Sequence, residues 1–254
     1  MAGAMVEGWR AAAIDLSGVT VIRPSGTPVA GVRTVTSYPA EPPRFVMLGF
    51  KPQKLDEIAP KLEPHVGPPT TIVSILAGVT AASLRGRFPA AKAIVRVMPN
   101  LPVAQRQGVT AIYSEDGDSD EIAEVRDLMK ALGMVAWCET EAELGVIGAV
   151  ASAGVAYVAR FADALAEGGV ALGMEPEQAA QVAMRTLAGT SAYAVETSAS
   201  MSEIARRVAS PKGTTEQGLA VLDAADGLNA LVERTLSAAV RRGQELAAEA
   251  ARQI

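Results

Sequence analysis

The chain is poor in the residues that most enzymes use for acid–base, nucleophilic or metal chemistry. Its 254 residues include one cysteine and one histidine. A lone Cys138 excludes an intrachain disulfide and any cysteine-cluster metal site. A lone His65 excludes a histidine-based one, and it lies in the turn-rich stretch Pro64-His65-Val66-Gly67-Pro68-Pro69, which predicts a solvated loop residue. No metal is expected. Aromatic residues make up only 4%, too few for a base-stacking platform, and the net charge of −5 comes with no basic run. Nucleic acid is therefore not an expected partner. The uncharged, apolar run Leu144 to Ala159 is shorter than the roughly 20 residues of a membrane span, and no basic-then-apolar leader opens the sequence. A buried or interfacial helix, no membrane and a cytoplasmic location are expected.

What the chain does have is apolar residues, 49% of the total against 20% charged, enough for a sizeable core in two domains. The two halves differ in character. From Val19 to about Ala136, short β-branched or aromatic runs alternate with helical stretches. The runs are Val19–Ile22, Arg44–Phe50, Thr71–Leu76, Ala93–Val97 and Val109–Tyr113. The helical stretches between them are Gln53–Leu62, Ala81–Arg87 and Asp120–Leu132. That alternation predicts a parallel α/β sheet with crossover helices, which binds ligands beyond the carboxyl ends of its strands. Those ends carry Arg23-Pro24-Ser25-Gly26, Lys51-Pro52-Gln53, Ala77-Gly78 and Met98-Pro99-Asn100. From about Thr140 the strands stop, and Ala, Leu, Met, Glu and Arg follow helical spacing, as at Leu228, Leu231, Val232, Leu236 and Val240. The expected domains are 1–139, α/β, and 140–254, all-α and burying apolar surface against another subunit.

Within the helical half, Ser210-Pro211-Lys212-Gly213-Thr214-Thr215 breaks the pattern. Pro211 cannot continue a helix and Gly213 has wide backbone freedom, so a tight loop is expected to feed a helix that runs on from Glu216 to Leu222. The free N–H groups of such a terminus suit a carboxylate or phosphate. An ordinary capped helix start is the alternative reading of the same residues.

Taken together, Met1-Ala-Gly-Ala-Met5, Phe50-Lys51-Pro52-Gln53, Ala77-Gly78, Val97-Met98-Pro99-Asn100-Leu101-Pro102, Gly108-Val-Thr-Ala111 and the 210–215 loop resemble the pyrroline-5-carboxylate reductase family along nearly the whole chain. The resemblance implies a Rossmann-like doubly wound domain followed by a C-terminal helical dimerisation domain. It implies hydride transfer from NADPH, with NADH as the other candidate cofactor, to a five-membered cyclic imine bearing a carboxylate. On that pattern Ser210, Gly213, Thr214 and Thr215 hold the substrate, with the Thr215 hydroxyl as the catalytic group at the ring nitrogen. Ala2, Gly3, Arg23, Ser25, Phe50, Lys51, Pro52, Ala77 and Asn100 meet the cofactor. Arg23 and Ser25, where an NAD-preferring fold carries an acidic residue, point to NADPH. A homodimer or higher homo-oligomer through the C-terminal helices is implied.

The chain departs from that pattern at its front. It opens at the methionine of the family's Gly-x-Gly-Asn-Met-Ala motif, so the first strand and both phosphate-loop glycines are absent, and a start codon set too late is the expected cause. Other departures are Ala151-Ser-Ala-Gly-Val-Ala-Tyr157, Leu101 after Met-Pro-Asn, and Lys212, which is strained if its position needs a positive φ. They leave two alternatives: a reductase of a different cyclic imine, and a catalytically inactive oligomerisation partner.

Overall fold

The computed structural model describes residues 1–117 and 119–251. The chain opens directly in a helix, α1 (Ala2–Ala11), followed by β1 (Thr20–Ile22), β2 (Arg33–Val35), β3 (Phe45–Leu48), α2 (Leu55–Leu62) and β4 (Thr71–Ser74). Then come α3 (Ala81–Arg87), β5 (Ala93–Pro99), β6 (Gly108–Ser114), α4 (Asp120–Lys130) and β7 (Gly133–Trp137). After β7 every described element is helical: α5 (Glu141–Gly148), a π-helical turn (Ala149–Ala153), α6 (Gly154–Ala171), α7 (Pro176–Thr197), α8 (Met201–Val208), α9 (Thr214–Leu222) and α10 (Leu228–Ala251). Two compact units result. One is residues 1–153 with the end of α10 from Ala239, and the other is Gly154–Ala238.

In the first unit β3-β4-β5-β6-β7 form one sheet, and β1 pairs with β2 in a second. No described strand joins β1 to β3. The expectation of a wholly parallel sheet is corrected at one place: β6 runs antiparallel to β5, with Arg96 opposite Tyr113 and Met98 opposite Ala111. The link between them, Leu101–Gln105, is a short 3-10 turn, too short to carry a crossover that would keep β6 parallel. Strands β2 and β7 were not among the expected runs; each is brief and only partly buried, so neither carries a strong apolar signature.

Alternation along the central strands builds a core on each face. Val73, Val95 and Val97 pack with Met5, Val6 and Trp9 of α1 and with Ile122, Val125 and Met129 of α4. Ile72 and Ile94 point the other way, to Leu55, Ala59 and Leu62 of α2 and Leu84 of α3. The sheet is therefore helix-covered on both sides, the arrangement that leaves its strand ends as the natural place for a ligand. Close approach is enforced at Gly8, where a Cβ would lie 2.2 Å from the Val103 carbonyl oxygen.

In the second unit α6 and α7 pair through small residues. Ala179 and Ala183 are buried, and a Cβ on Gly169 would stand 3.7 Å from that of Ala179. Many large apolar side chains of this unit stay exposed, among them Phe161, Leu165, Leu172, Val195 and Val221. Glu141–Ala171, which holds an 18-residue window of mean hydropathy 1.6, is long and apolar enough by length and composition to cross a membrane, a longer run than the uncharged stretch within it predicts.

Candidate active site

The carboxyl ends of β1, β3, β4 and β5 carry the residues singled out in the first half of the sequence. Helix α1 brings Ala2 and Gly3 in its first turn, whose N–H groups have no intrahelical acceptor. Its position beside the sheet is fixed by Gly49, where a Cβ would lie 3.0 Å from that of Ala2. The turn after β3, Phe50-Lys51-Pro52, is thereby brought next to the start of α1. Arg23 and Ser25 follow β1, where Arg23 N–H donates to the Val35 carbonyl at 2.8 Å and the guanidinium reaches the Thr27 carbonyl at 3.3 Å. Gly26, at φ 67°, closes this turn.

The loop after β4 holds Ala77 and Gly78. Gly78 has φ 75°, and a Cβ on it would come within 2.9 Å of the Leu246 Cβ, so the end of α10 lies against this loop. Sequence reading assigned α10 wholly to the helical half; its last turns return to the α/β unit instead, a contact no local pattern announces.

Asn100 directly follows β5 and is only 6% exposed. Its Nδ2 donates to the Ala151 carbonyl at 3.1 Å and its Oδ1 accepts from the Val109 N–H at 2.9 Å. Beside it, Ser152 Oγ donates to the Pro99 carbonyl at 3.3 Å. Leu101, the next residue, is 61% exposed. Two more residues here escaped the sequence reading. Arg96 is buried on β5, and its Nη1 lies 3.0 Å from Glu141 Oε1, which also accepts from the Ala81 N–H at 2.7 Å. Glu141 thus ties the start of α5 to β5 and to the start of α3. Its only sequence signal is the capping residue Thr140 before it, whose Oγ1 accepts from the Glu143 N–H at 3.1 Å.

In the helical unit, the 210–215 segment forms the expected loop, and α9 starts at Thr214 with Gly213 as its N-cap. The Gly213 N–H donates to the Ser210 carbonyl at 2.9 Å. A Cβ on Gly213 would collide with Ser210 Oγ at 2.3 Å, which explains the glycine. Lys212 adopts φ 61°, the strained region, and its N–H donates to Glu216 Oε2 at 2.7 Å. The N–H groups of Thr214, Thr215 and Glu216 belong to the first turn and have no acceptor within the helix. Such N–H groups can bind an acceptor such as a carboxylate.

Neither solitary residue of the sequence takes part. His65 stacks on Tyr38 with ring centroids 4.9 Å apart, and its Nδ1 lies 3.0 Å from the Pro39 carbonyl oxygen. Cys138 is buried, and burial, with a smaller push from Glu143, raises its thiol to about 11. It is no nucleophile at neutral pH. Among the described residues no cluster of three His, Cys, Asp or Glu is placed to hold a metal. A groove of about 430 Å³ lined by Leu165, Leu172, Met174 and Val182, and another of about 410 Å³ lined by Glu115, Arg126 and Trp137, include none of the predicted site residues.

Comparison with known proteins places the chain. Residues 141–246 match the pyrroline-5-carboxylate reductase dimerisation family. The chain is 34% identical over 203 residues to the pyrroline-5-carboxylate reductase of Pseudomonas aeruginosa, covering 80% of this chain and 74% of that protein. With the Synechocystis enzyme of the same name it shares 37% over 202 residues, 79% and 74% of the two. The solved pyrroline-5-carboxylate reductase of Coxiella burnetii superposes with a TM-score of 0.88 at 30% identity, over 96% of this chain and 94% of that one. The Plasmodium falciparum pyrroline carboxylate reductase, solved with NADP bound, has the same fold at 20% identity, with a TM-score of 0.83 over 96% and 93%. With motif, strand order and relatives in agreement, the chain belongs to the pyrroline-5-carboxylate reductase family.

Proposed function

We propose that the protein reduces 1-pyrroline-5-carboxylate to L-proline with NADPH, NADH serving as a second donor. The observation that carries this reading is the α9 start: Thr214, Thr215 and Glu216 present free N–H groups behind Gly213, which cannot be replaced without collision. A dinucleotide fits the α/β unit on three grounds. The first turn of α1 offers unbonded N–H groups, Gly78 at φ 75° lets the backbone come close, and the β1 end carries Arg23 and Ser25 without an acidic residue. In this reading Ala2 and Gly3 meet the pyrophosphate, and Arg23 and Ser25 the 2′-phosphate. Phe50, Lys51, Pro52, Ala77 and Asn100 form the wall around the nicotinamide. When bound, the cofactor supplies a hydride.

The chain's own residues bind and orient. The α9 N–H groups take the substrate carboxylate, and Ser210 supports the loop by accepting the Gly213 N–H. The Thr215 hydroxyl bonds the ring nitrogen. The C=N carbon gains the hydride while the ring nitrogen keeps a proton, giving the cyclic amine. A protonated imine is already electrophilic, so a site without histidine, metal or reactive thiol suffices, and orientation supplies the rate. We assign residues 1–139 to the cofactor and 140–254 to the substrate loop and a homodimer or larger homo-oligomer, in the cytoplasm.

The test is NADPH oxidation with 1-pyrroline-5-carboxylate, compared with the six-membered homologue. Turnover of the five-membered imine that Thr215→Val lowers about 10- to 100-fold supports the assignment. Turnover of only the larger ring moves the substrate; exposed Leu101 at the strand end is the feature that would favour it. NADPH binding with no turnover of either imine would sink the reductase reading.

A further inference from the structure

The helical run Glu141–Ala171 is interrupted by the π-turn at Ala149–Ala153, and the first unit ends there. Such turns are rare, because they add a residue to the turn and weaken its bonding, and they persist where outside contacts hold them. Here two side-chain bonds do so, both at the carboxyl end of β5. Asn100 Nδ2 donates to the Ala151 carbonyl inside the turn, and Ser152 Oγ, from within the turn, donates back to the Pro99 carbonyl. Gly148, one residue before the turn, rests on Met98; a Cβ there would stand 3.3 Å from Met98 Cγ. A side chain that inserts into a helical ladder draws the carbonyl outward and deforms the helix at that point.

The Asn100 amide is thus used at both ends within the protein: its oxygen on the Val109 N–H, its nitrogen on Ala151. We propose that Asn100 is a positioning residue. Its amide fixes the π-turn against the ligand edge of the sheet, and its contribution to turnover comes through that turn rather than through an amide contact to the cofactor. Losing the turn's extra residue would rotate every later residue of the helix by about 100°. A turn merely loosened would displace the wall of the site, and misplacement near 1 Å costs about 10²-fold in rate.

The part that concerns turnover rests on the reductase reading; the clamp itself does not. The experiment is therefore double. Amide hydrogen exchange over residues 149–156 and steady-state kinetics are measured for the wild type, Asn100→Asp, Ser152→Ala and the double variant. Asn100→Asp keeps the acceptor for Val109 and loses the donor to Ala151. Exchange in the π-turn should quicken at least tenfold while the Val109 amide stays protected. The kcat should fall at least tenfold, with KM for NADPH changed less than twofold. Ser152→Ala should do the same more weakly, and the double variant should be no worse than Asn100→Asp by more than twofold, because both act on one turn. Should Asn100→Asp fail to fold, the Ser152→Ala exchange and its kcat-only effect carry the test. Unchanged exchange with KM for NADPH raised tenfold or more, or effects that multiply, would overturn the proposal. A wild type without turnover would defeat the reductase reading and leave exchange to decide the clamp.

Discussion

Lys212 is held at φ 61° with its N–H on the Glu216 carboxylate, and the chain bends there only because that bond and the Ser210–Gly213 turn insist on it. A non-glycine residue in this region costs about 1–2 kcal/mol, partly offset by the freedom glycine gives the unfolded chain. Lys212→Gly should therefore stabilise the protein by about 0.5–1 kcal/mol in urea unfolding. The same variant loses an ammonium beside the loop, so its KM for the imine should exceed that of the wild type most at low salt, and the gap should close as salt screens the charge. Its neighbour behaves in the opposite way. Gly213→Ala should place a methyl 2.3 Å from Ser210 Oγ, open the loop and raise KM for the imine at least tenfold, with little effect on NADPH binding. Cys138 gives a pH prediction. Its folded thiol titrates near 11 against 9.0 for a free one, so the folded state binds the extra proton and loses stability as pH climbs from about 9 to 11. Cys138→Ser should flatten that decline, and a thiol reagent at pH 8 should modify the native protein far more slowly than the unfolded one. The glycine and proline of the 210–215 loop were legible because backbone chemistry is local. The roles of Arg96, Glu141 and Ser152 were not, since their partners lie 45, 60 and 53 residues away.

Among the elements, α5 shows how a charged pair serves placement. Glu141 caps α3 through the Ala81 N–H and pairs with Arg96, whose side chain is 9% exposed while that of Glu141 is 26% exposed. Arg96 Nε has no partner, so the pair is poorly compensated and sensitive to loss. Glu141→Gln keeps an acceptor for Ala81 but strands the guanidinium. Unfolding free energy should drop by about 2–3 kcal/mol, measured by thermal or urea unfolding, and a drop below about 0.5 kcal/mol would show the pair idle. The same element scale explains what the sequence pattern missed. Strands β4 and β5 were visible as apolar runs because both faces are buried. Strands β2 and β7 are half-covered and short, and β6 reverses direction for a reason that lies in the length of the 101–105 turn rather than in its own residues.

At the scale of the molecule, the helical unit exposes more apolar surface than a solitary chain usually leaves in water: Phe161 at 43%, Leu165 at 50%, Leu172 at 91%. This unit falls within the match to the dimerisation family, which gives the surface its use. Leu165→Asp combined with Phe161→Asp should convert the assembly to monomer in sedimentation, lower the melting temperature and abolish turnover. If the double variant stays assembled, the interface lies elsewhere on the unit. That α6 and the groove beside it are apolar was readable from composition; that they lack cover within one chain was not.

What the residues by themselves determined is whatever depends on near neighbours: the alternation that makes an α/β half, the helical spacing of the remainder, the strand-end residues and the Ser-Pro-x-Gly loop before α9. Composition also excluded an intrachain disulfide and a cysteine- or histidine-cluster metal site within one chain. The tertiary structure alone decided that β1 and β2 stand as a separate sheet, that β6 runs against its neighbours, and that the end of α10 closes on Gly78. It alone also showed that the Asn100 amide nitrogen donates to the Ala151 carbonyl in the π-turn while its oxygen accepts from the Val109 N–H. The division has one cause. Backbone preference and hydrophobic period act over a few residues, whereas a hydrogen bond between positions 100 and 151 exists only once the intervening chain has packed.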